Sequence, residues 1–504
     1  MSTLTSLARA QAVVRGVAQP IATVRHVHVS NRPLVFIPLG LAGEAHAPLA
    51  AMIGTDPRAP RLLVVAQPRD RDQRFGFAAE LADEVLPYIE SFCAESEDVP
   101  VRQGAEPRTR FADAPQVLVP SPAGIGFVRL LGRSTRFRRT DGEFAVPHGV
   151  PLLGRWLSYL AERAGHPGSC LLVAATDALS AHWASGQSPF EDLNLAALIG
   201  WISPPPGQNG WQAAAAAEDP LRWPPAGPAT DPTFDNEVLA PLIAARERAA
   251  GGPGENRAQA ALAEALAGQL RLTWQLTWRA VDLLRSLPPG EHVSIRWTAD
   301  RDSFTGYREH LDTGGPPQPR RDSAVAAARR LTWLERAQAV HAVQRAFDDP
   351  LVMAEYRLGG EAFAGEVVAA EPDRIDATGS RRKLRPLITI ATTDQLLISP
   401  GTRMSAPGRP GQSARVVSVI SSAYQAGQVV LELSGGMGRS LIAVPGSIPE
   451  VGELMCYATL TDSYQPSASF PPAEETPWTH GGPPPPYVPA DDNTAAEEAS
   501  EEWS

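Results

Sequence analysis

Lysine is almost missing from this chain. Of its 45 basic residues only Lys383 is a lysine, and the other 44 are arginines. A single lysine leaves almost no choice for Schiff-base or phosphate-binding lysine chemistry. No Gly-Lys pair exists from which a G-x-x-x-x-G-K-[ST] loop could be built, so a conventional P-loop ATPase is excluded. Cysteine is nearly as scarce. Cys93, Cys170 and Cys456 stand far apart and odd in number, which offers neither a disulfide framework nor a zinc knuckle. A reducing cytoplasm is the compartment that this predicts. Long apolar runs are lacking too, so no membrane span is expected. The apolar N-terminal stretch is broken by Arg9, Arg15 and Arg25 and does not read as a signal peptide. Net charge is −11, which excludes a basic nucleic-acid coat.

What the chain does contain is 43% hydrophobic residues over 504 positions, with 49 Pro and 42 Gly, enough for several packed units. Short apolar runs at 33–38, 62–66, 117–120 and 171–175 read as buried strands, each followed by a turn and a helix-like stretch, the clearest at 77–92 and 152–163. Repeated strand and helix predict an α/β N-terminal domain with a mostly parallel sheet over residues 1–202. Residues 203–257, rich in Pro, Gly and Ala, read as a linker, with a short helix at 234–248. Two long helical patterns follow within 258–360. One carries Leu262, Leu266, Leu270, Trp274, Trp278, Val281 and Leu284; the other starts at the cap-like Ser323 and runs through Val325, Leu331, Leu334, Val340 and Phe347. Between them residues 293–297 look strand-like. A long-helix stalk or hairpin is the expected arrangement.

Period-two alternation in 361–463 then gives five short strands, a small five-stranded β-barrel. The remainder, 464–504, is Pro-rich and then acidic, with Asp491, Asp492, Glu497, Glu498, Glu501 and Glu502. It reads as a disordered tail.

Candidate sites are mostly anionic-ligand sites. Val117-Leu-Val-Pro-Ser-Pro-Ala-Gly124-Ile-Gly126-Phe-Val-Arg129 reads strand, glycine loop, helix start, and Arg133, Arg136, Arg138 and Arg139 follow. Backbone N–H groups at Gly124 and Gly126 could approach a phosphate. An ordinary βα turn with an arginine-biased helix explains the same residues, and Arg129 stands where a third fingerprint glycine would be. Gln67-Pro-Arg-Asp-Arg-Asp-Gln-Arg74 is a second such loop, its charges alternating in sign. Arg381, Arg382, Lys383 and Arg385 form a basic connector; Ser380 and Lys383 match S-x-x-K only formally. Trp274, Trp278, Trp297 and Trp333, near arginines, could stack bases, although such residues more often pack cores. His26 and His28 share one strand face, with Glu44 and His46 beyond, but no third metal ligand is fixed by spacing. Asp177 and His182 could make an acid/base pair, or Asp177 could cap a helix. No metal and no cofactor is expected.

Two long helices leading into a small barrel resemble the stalk and barrel insertion of superfamily 1 helicases over about residues 258–463. Within it, Arg415-Val-Val-Ser-Val-Ile420 to Gln428-Val-Val-Leu-Glu-Leu-Ser-Gly435 is similar to the hairpin of such a barrel. The resemblance implies nucleic-acid contact by stalk and barrel. No motor motif is present, so a motor ATPase would come from a partner chain. The expected function is therefore a non-catalytic accessory protein associated with nucleic acid or its motor. The alternatives are an α/β nucleotide-binding enzyme or sensor for an anionic small molecule, and a purely structural scaffold.

Overall fold

Seven consecutive residues, Leu34–Gly40, are buried on both faces, and a strand of that kind must be covered twice. In the computed structural model, which describes residues 3–44, 47–100, 107–220, 223–224, 229–379, 381–409, 411–420, 427–461 and 469–472, this strand is the centre of a five-stranded sheet. The order is Arg61–Val64, Pro48–Gly54, Leu34–Gly40, Val117–Val119, Leu172–Ala174. The last three run parallel. The first three form an antiparallel meander, so the sheet is mixed rather than mostly parallel. Pro48–Gly54 is the strand the sequence reading lacked; seven residues separate it from Leu34–Gly40, too few for the crossover that a parallel partner needs.

Alternate residues face opposite layers. Leu34, Phe36, Ile53, Val117 and Val119 pack beneath Leu81 and Val85 of helix Arg71–Glu90 and Leu153, Leu157 and Leu160 of helix Val150–Ala164. Val35, Ile37, Leu39, Leu49, Met52 and Leu118 pack on Leu262, Leu266, Leu270, Trp274 and Leu284 of helix Glu255–Arg285. This long helix is therefore a layer of the α/β unit and not a stalk, because its leucine stripe finds its complement on the sheet. The expected strand at 293–297 is helical, within Glu291–Asp312. Val293, Trp297 and Phe304 are spaced to share one helical face, and Trp297 and Phe304 join the first core layer. The short helix expected at 234–248 is present as Ala240–Ala249, and the stretch read as linker holds a further one, Gly210–Ala217, opened by an Asn209–Gln212 capping box. Alanine is the best helix former, so the five-alanine run folds once capped.

Helix Ala324–Asp348 differs from these. Only Val325, Val343, Gln344 and Ala346 are buried along its 25 residues. Helix Pro350–Leu358 then leads into a six-stranded antiparallel half-barrel, ordered Arg403–Met404, Ser413–Ile420, Gly427–Ser434, Leu387–Thr392, Ala362–Glu371, Leu454–Ala458. Five of these strands were expected; the two-residue Arg403–Met404 is the sixth, too short to show a period. Ser405 and Ala458 exchange backbone hydrogen bonds of 2.8 and 2.9 Å, which tie one edge of the sheet to the other. Phe363, Val367, Ile388, Ile390, Val416, Val429, Leu431 and Tyr457 fill its inside. The expected disordered tail lies outside the described residues except for 469–472. Among the described residues no helix is long and apolar enough to cross a membrane.

Helices Pro122–Thr135 and Val150–Ala164 cross at glycines. A Cβ at Gly132 would sit 2.7 Å from the Ser158 amide nitrogen, and one at Gly154 would overlap the Arg136 amide and the Thr135 hydroxyl. Gly154→Ala is expected to lose about 1–3 kcal/mol of stability through overpacking. Gly126→Ala, in open space on the first of these helices, should instead gain up to about 1 kcal/mol from helix propensity. Urea denaturation of the two variants checks the opposite signs.

Candidate functional site

The expected phosphate loop is a tight βα turn. Ser121 is extended at the helix N-terminus and makes no side-chain cap bond, with Pro122 next. Gly124 lies in the helix, where a Cβ would come 2.7 Å from the Val119 Cβ; its small size serves the approach of helix to strand. Gly126 is likewise helical, so the two glycines form no loop around an anion. Arg129 and Arg133 are exposed one turn apart, and neither makes an ion pair among the described residues.

The other arginines of that cluster serve the fold. Arg136 is buried, and its guanidinium donates to the Gln318 and Pro319 carbonyls at 3.0 and 3.4 Å while lying over Phe137. Arg138 donates to the Ser134 carbonyl and, with Arg71, flanks the Phe75 ring. Arg139 pairs with Asp141 at 3.3 Å. A continuous basic face from Arg129 to Arg139 is thus not formed, because flexible stems with planar heads find carbonyls and rings at the helix end. The Gln67–Arg74 loop also neutralises itself: Asp70 caps its helix on the Gln73 amide, Arg69 pairs with Glu44, and Arg71 with Asp72.

Three of the four tryptophans are core residues. Trp274 and Trp278 belong to the layer under Glu255–Arg285, and the Trp274 indole donates to the Pro57 carbonyl at 2.9 Å. Trp297 donates to Asp113 and stacks on His28 with ring centroids 3.9 Å apart. Only Trp333, half exposed beside His166, presents a ring to solvent.

The residue types that could act as bases or nucleophiles are held in a buried polar network. His182 accepts the His26 amide at Nε2 (2.9 Å) and donates from Nδ1 to the Ala178 carbonyl (2.6 Å). It does not meet Asp177, which lies inside helix Ala175–Ser180 rather than capping it. Asp349 accepts from the Thr23 amide (2.7 Å), the Thr23 hydroxyl (3.0 Å) and the Leu351 amide (2.9 Å), with His26 Nε2 at 3.4 Å. Burial would raise its pKa, yet these contacts hold it well below the usual carboxylate range. Asp300 takes Arg163 (2.8 Å), the Ser169 hydroxyl (2.7 Å) and the Cys170 amide (2.6 Å). Burial pushes the Cys170 thiol up to about 12, which makes it an inert core group. The sequence reading missed Asp300. Its signal was a lone carboxylate interrupting the Val293, Trp297, Phe304 stripe. His28 faces Trp297 rather than joining His26 in a metal pair, and His46 lies outside the described residues. Among the described residues no group of three or more His, Cys, Asp or Glu could hold a metal ion.

The remaining basic cluster sits on the half-barrel. Ile375–Asp376 and Lys383–Leu384 pair as a small antiparallel hairpin, with Arg381, Arg382 and Lys383 exposed on it. Lys383 is on a strand and in solvent, not desolvated on a helix; Ser380 lies outside the described residues. Arg385 is turned inward, donating to the Leu384 carbonyl. Beside this hairpin, Arg374 and Arg415 share one carboxylate, Glu432, at 2.8 and 2.9 Å. Burial opposes ionisation of Glu432, and the two guanidinium groups outweigh it and keep its pKa low. Arg403 is the cross-strand neighbour of Arg415 and also exposed.

Burial lowers the pKa of His28, His166 and His182 to about 4 and of His341 to about 3, well under the ordinary histidine value of 6.5. Between about pH 6.5 and 4 the unfolded chain therefore takes up about one more proton per histidine than the folded one, and acid destabilises the fold across that window. The raised pKa values of Glu162, Asp177 and Asp300 act in the opposite sense where they titrate. His341→Gln should make the fall in urea midpoint between pH 6.5 and 4 shallower by about one proton's worth; an unchanged slope contradicts this.

No protein-family model, curated protein or solved structure matches this chain, so what the site does is argued from its own residues.

Proposed function

We propose that the chain is an accessory binding protein, without catalytic machinery of its own, that contacts nucleic-acid backbone through its half-barrel. One observation carries this reading. Arg381, Arg382 and Lys383 project into solvent on a hairpin, with Arg374 and Arg415 sharing the carboxylate of Glu432 on the same half-barrel and Arg403 paired across the strands with Arg415. Arginines in such an array match phosphate oxygens well, since each presents a fork of donors. The binding term is local, so a chain with net charge −11 can still carry it. The non-catalytic part rests on the opposite observation in the α/β unit. There His26, His182, Cys170, Asp300 and Asp349 are locked to one another or to backbone, and Gly124 serves packing.

A nucleic-acid motor supplied by another chain is the partner that the reading implies. Helix Glu255–Arg285 packs on the sheet and lies outside this reading. Helix Ala324–Asp348 and the half-barrel are the parts it uses.

Single-stranded DNA or RNA carrying a fluorophore should gain anisotropy with this protein at roughly 50 mM salt and lose on the order of a hundredfold in affinity by about 200 mM, as expected for about four phosphate contacts. Arg381→Ala, Arg382→Ala and Lys383→Ala together should lower the logarithmic salt slope by about two to three units, while Arg129→Ala with Arg133→Ala leaves it unchanged. Absence of binding at both salts, or an unaltered slope in the triple variant, overturns the reading.

A further inference from the structure

Helix Ala324–Asp348 leaves its middle uncovered. Between Val325 and Val343 none of its residues is buried, and Leu331 is 58% exposed, Trp333 50% and Val340 38%. Arginines lie among these apolar groups. Arg329 is exposed and makes no ion pair among the described residues, Arg330 pairs with Asp322 at 2.5 Å, and Arg336 stands one turn beyond Trp333. Over residues 320–336 five arginines face two carboxylates, Asp322 and Glu335. Arg329, Trp333, Arg336 and Val340 recur at helical spacing on one face, and a surface of this kind, apolar and cationic together, suits an acidic peptide with an aromatic anchor.

The chain itself contains one. After Arg439 there is no further Lys or Arg, and the last residues read Asp491-Asp-Asn-Thr-Ala-Ala-Glu497-Glu-Ala-Ser-Glu501-Glu-Trp503-Ser504. The place where the fold ends favours this occupant. Leu460 packs with Phe347 and Val352 around Ala346 and Met353, so the chain leaves the half-barrel against the C-terminal end of the same helix. From Ala346 back to Arg329 is about 25 Å of helix at 1.5 Å per residue. The stretch from Thr461 to Glu497 can span at most roughly 120 Å, so the reach is ample.

We propose that residues 491–504 dock in cis on the exposed middle of helix Ala324–Asp348. The glutamates face Arg329 and Arg336, and Trp503 covers Trp333 or Val340. Tethering makes the encounter intramolecular, which raises the effective concentration of the tail without requiring a strong contact. The docked tail would occupy a long helix that helps neither layer of the sheet, and would have to be displaced before a partner chain used that surface.

The scarcity of lysine supplies a clean test in the full-length protein. Arg329→Lys, at an exposed position that leaves the fold intact, places a second lysine amine in a chain whose only other one is Lys383. Carbodiimide couples amines to carboxylates within contact distance, and peptide mass spectrometry locates the bond. The expected result is a link from position 329 to Glu497, Glu498, Glu501 or Glu502 in the monomer fraction, falling severalfold in about 1 M salt, where the screening length is about 3 Å. Any of three results overturns the proposal: no link between position 329 and the tail, a link confined to covalent dimers, or tail carboxylates joined to Lys383 instead. The last would place the tail on the basic hairpin of the half-barrel. None of these outcomes depends on nucleic-acid binding, so failure here and failure of the proposed function are separable.

Discussion

A central strand buried on both faces governs how this molecule is assembled. Leu34–Gly40 sends Leu34 and Phe36 to one layer and Val35, Ile37 and Leu39 to the other, and neither layer can be left wet. The first layer comes mainly from Arg71–Glu90 and Val150–Ala164, joined by Trp297 and Phe304 from Glu291–Asp312. For the second the chain returns more than two hundred residues later with the leucine and tryptophan stripe of Glu255–Arg285. That return makes the α/β unit include a helix that composition alone places with the later segment. It also explains why tryptophans near arginines act as packing groups: Trp274 and Trp278 are where the sheet needs volume.

The second organising contact is polar and sits where the arm leaves this unit. Asp349 caps helix Pro350–Leu358 on the Leu351 amide and at the same time accepts from Thr23 and approaches His26. A carboxylate satisfied from both sides fixes the corner between helix Ala324–Asp348 and the segment that enters the half-barrel. Losing one partner there would leave a buried charge unpaired, which is far more costly than the pair is favourable. His182 and His341 lie near this corner, and burial holds both well below the ordinary histidine pKa. That buried network is structural chemistry. It accounts for many residue types that would, on the surface of a cleft, suggest catalysis.

How much of this was legible depended on whether the signal was local. The apolar runs at 117–120 and 171–175, the long helix at 71–90 and the alternating strands of the half-barrel all announce themselves by periodicity, and they are present. What stayed hidden was set by tertiary partners. Pro48–Gly54, with Ala50 and Ala51 in its middle, has Ile53 as its one β-branched residue, and its neighbours make it a strand. Residues 293–297 have strand-like composition, but Trp297 and Phe304 act at helical spacing over a longer window. For the candidate site, sequence placed Arg129 to Arg139 together, while the fold buries Arg136 and ties Arg138 and Arg139 locally. Arg381, Arg382 and Lys383 are exposed on a short hairpin, and none of them makes an ion pair among the described residues. No residue pattern could foretell which cluster would be kept free, since that depends on which carbonyls the fold leaves within reach.

In the proposed function the half-barrel carries the ligand-facing surface and the α/β unit supports it. Amide hydrogen exchange of the full-length protein, with and without a saturating single-stranded oligonucleotide at low salt, examines that division directly. Protection concentrated in 374–385 and 403–415, with residues 117–139 unchanged, is the result expected. Protection centred on the Ser121–Gly126 turn and the helix that follows, with the half-barrel unaffected, would contradict it and return attention to an anion site on the sheet.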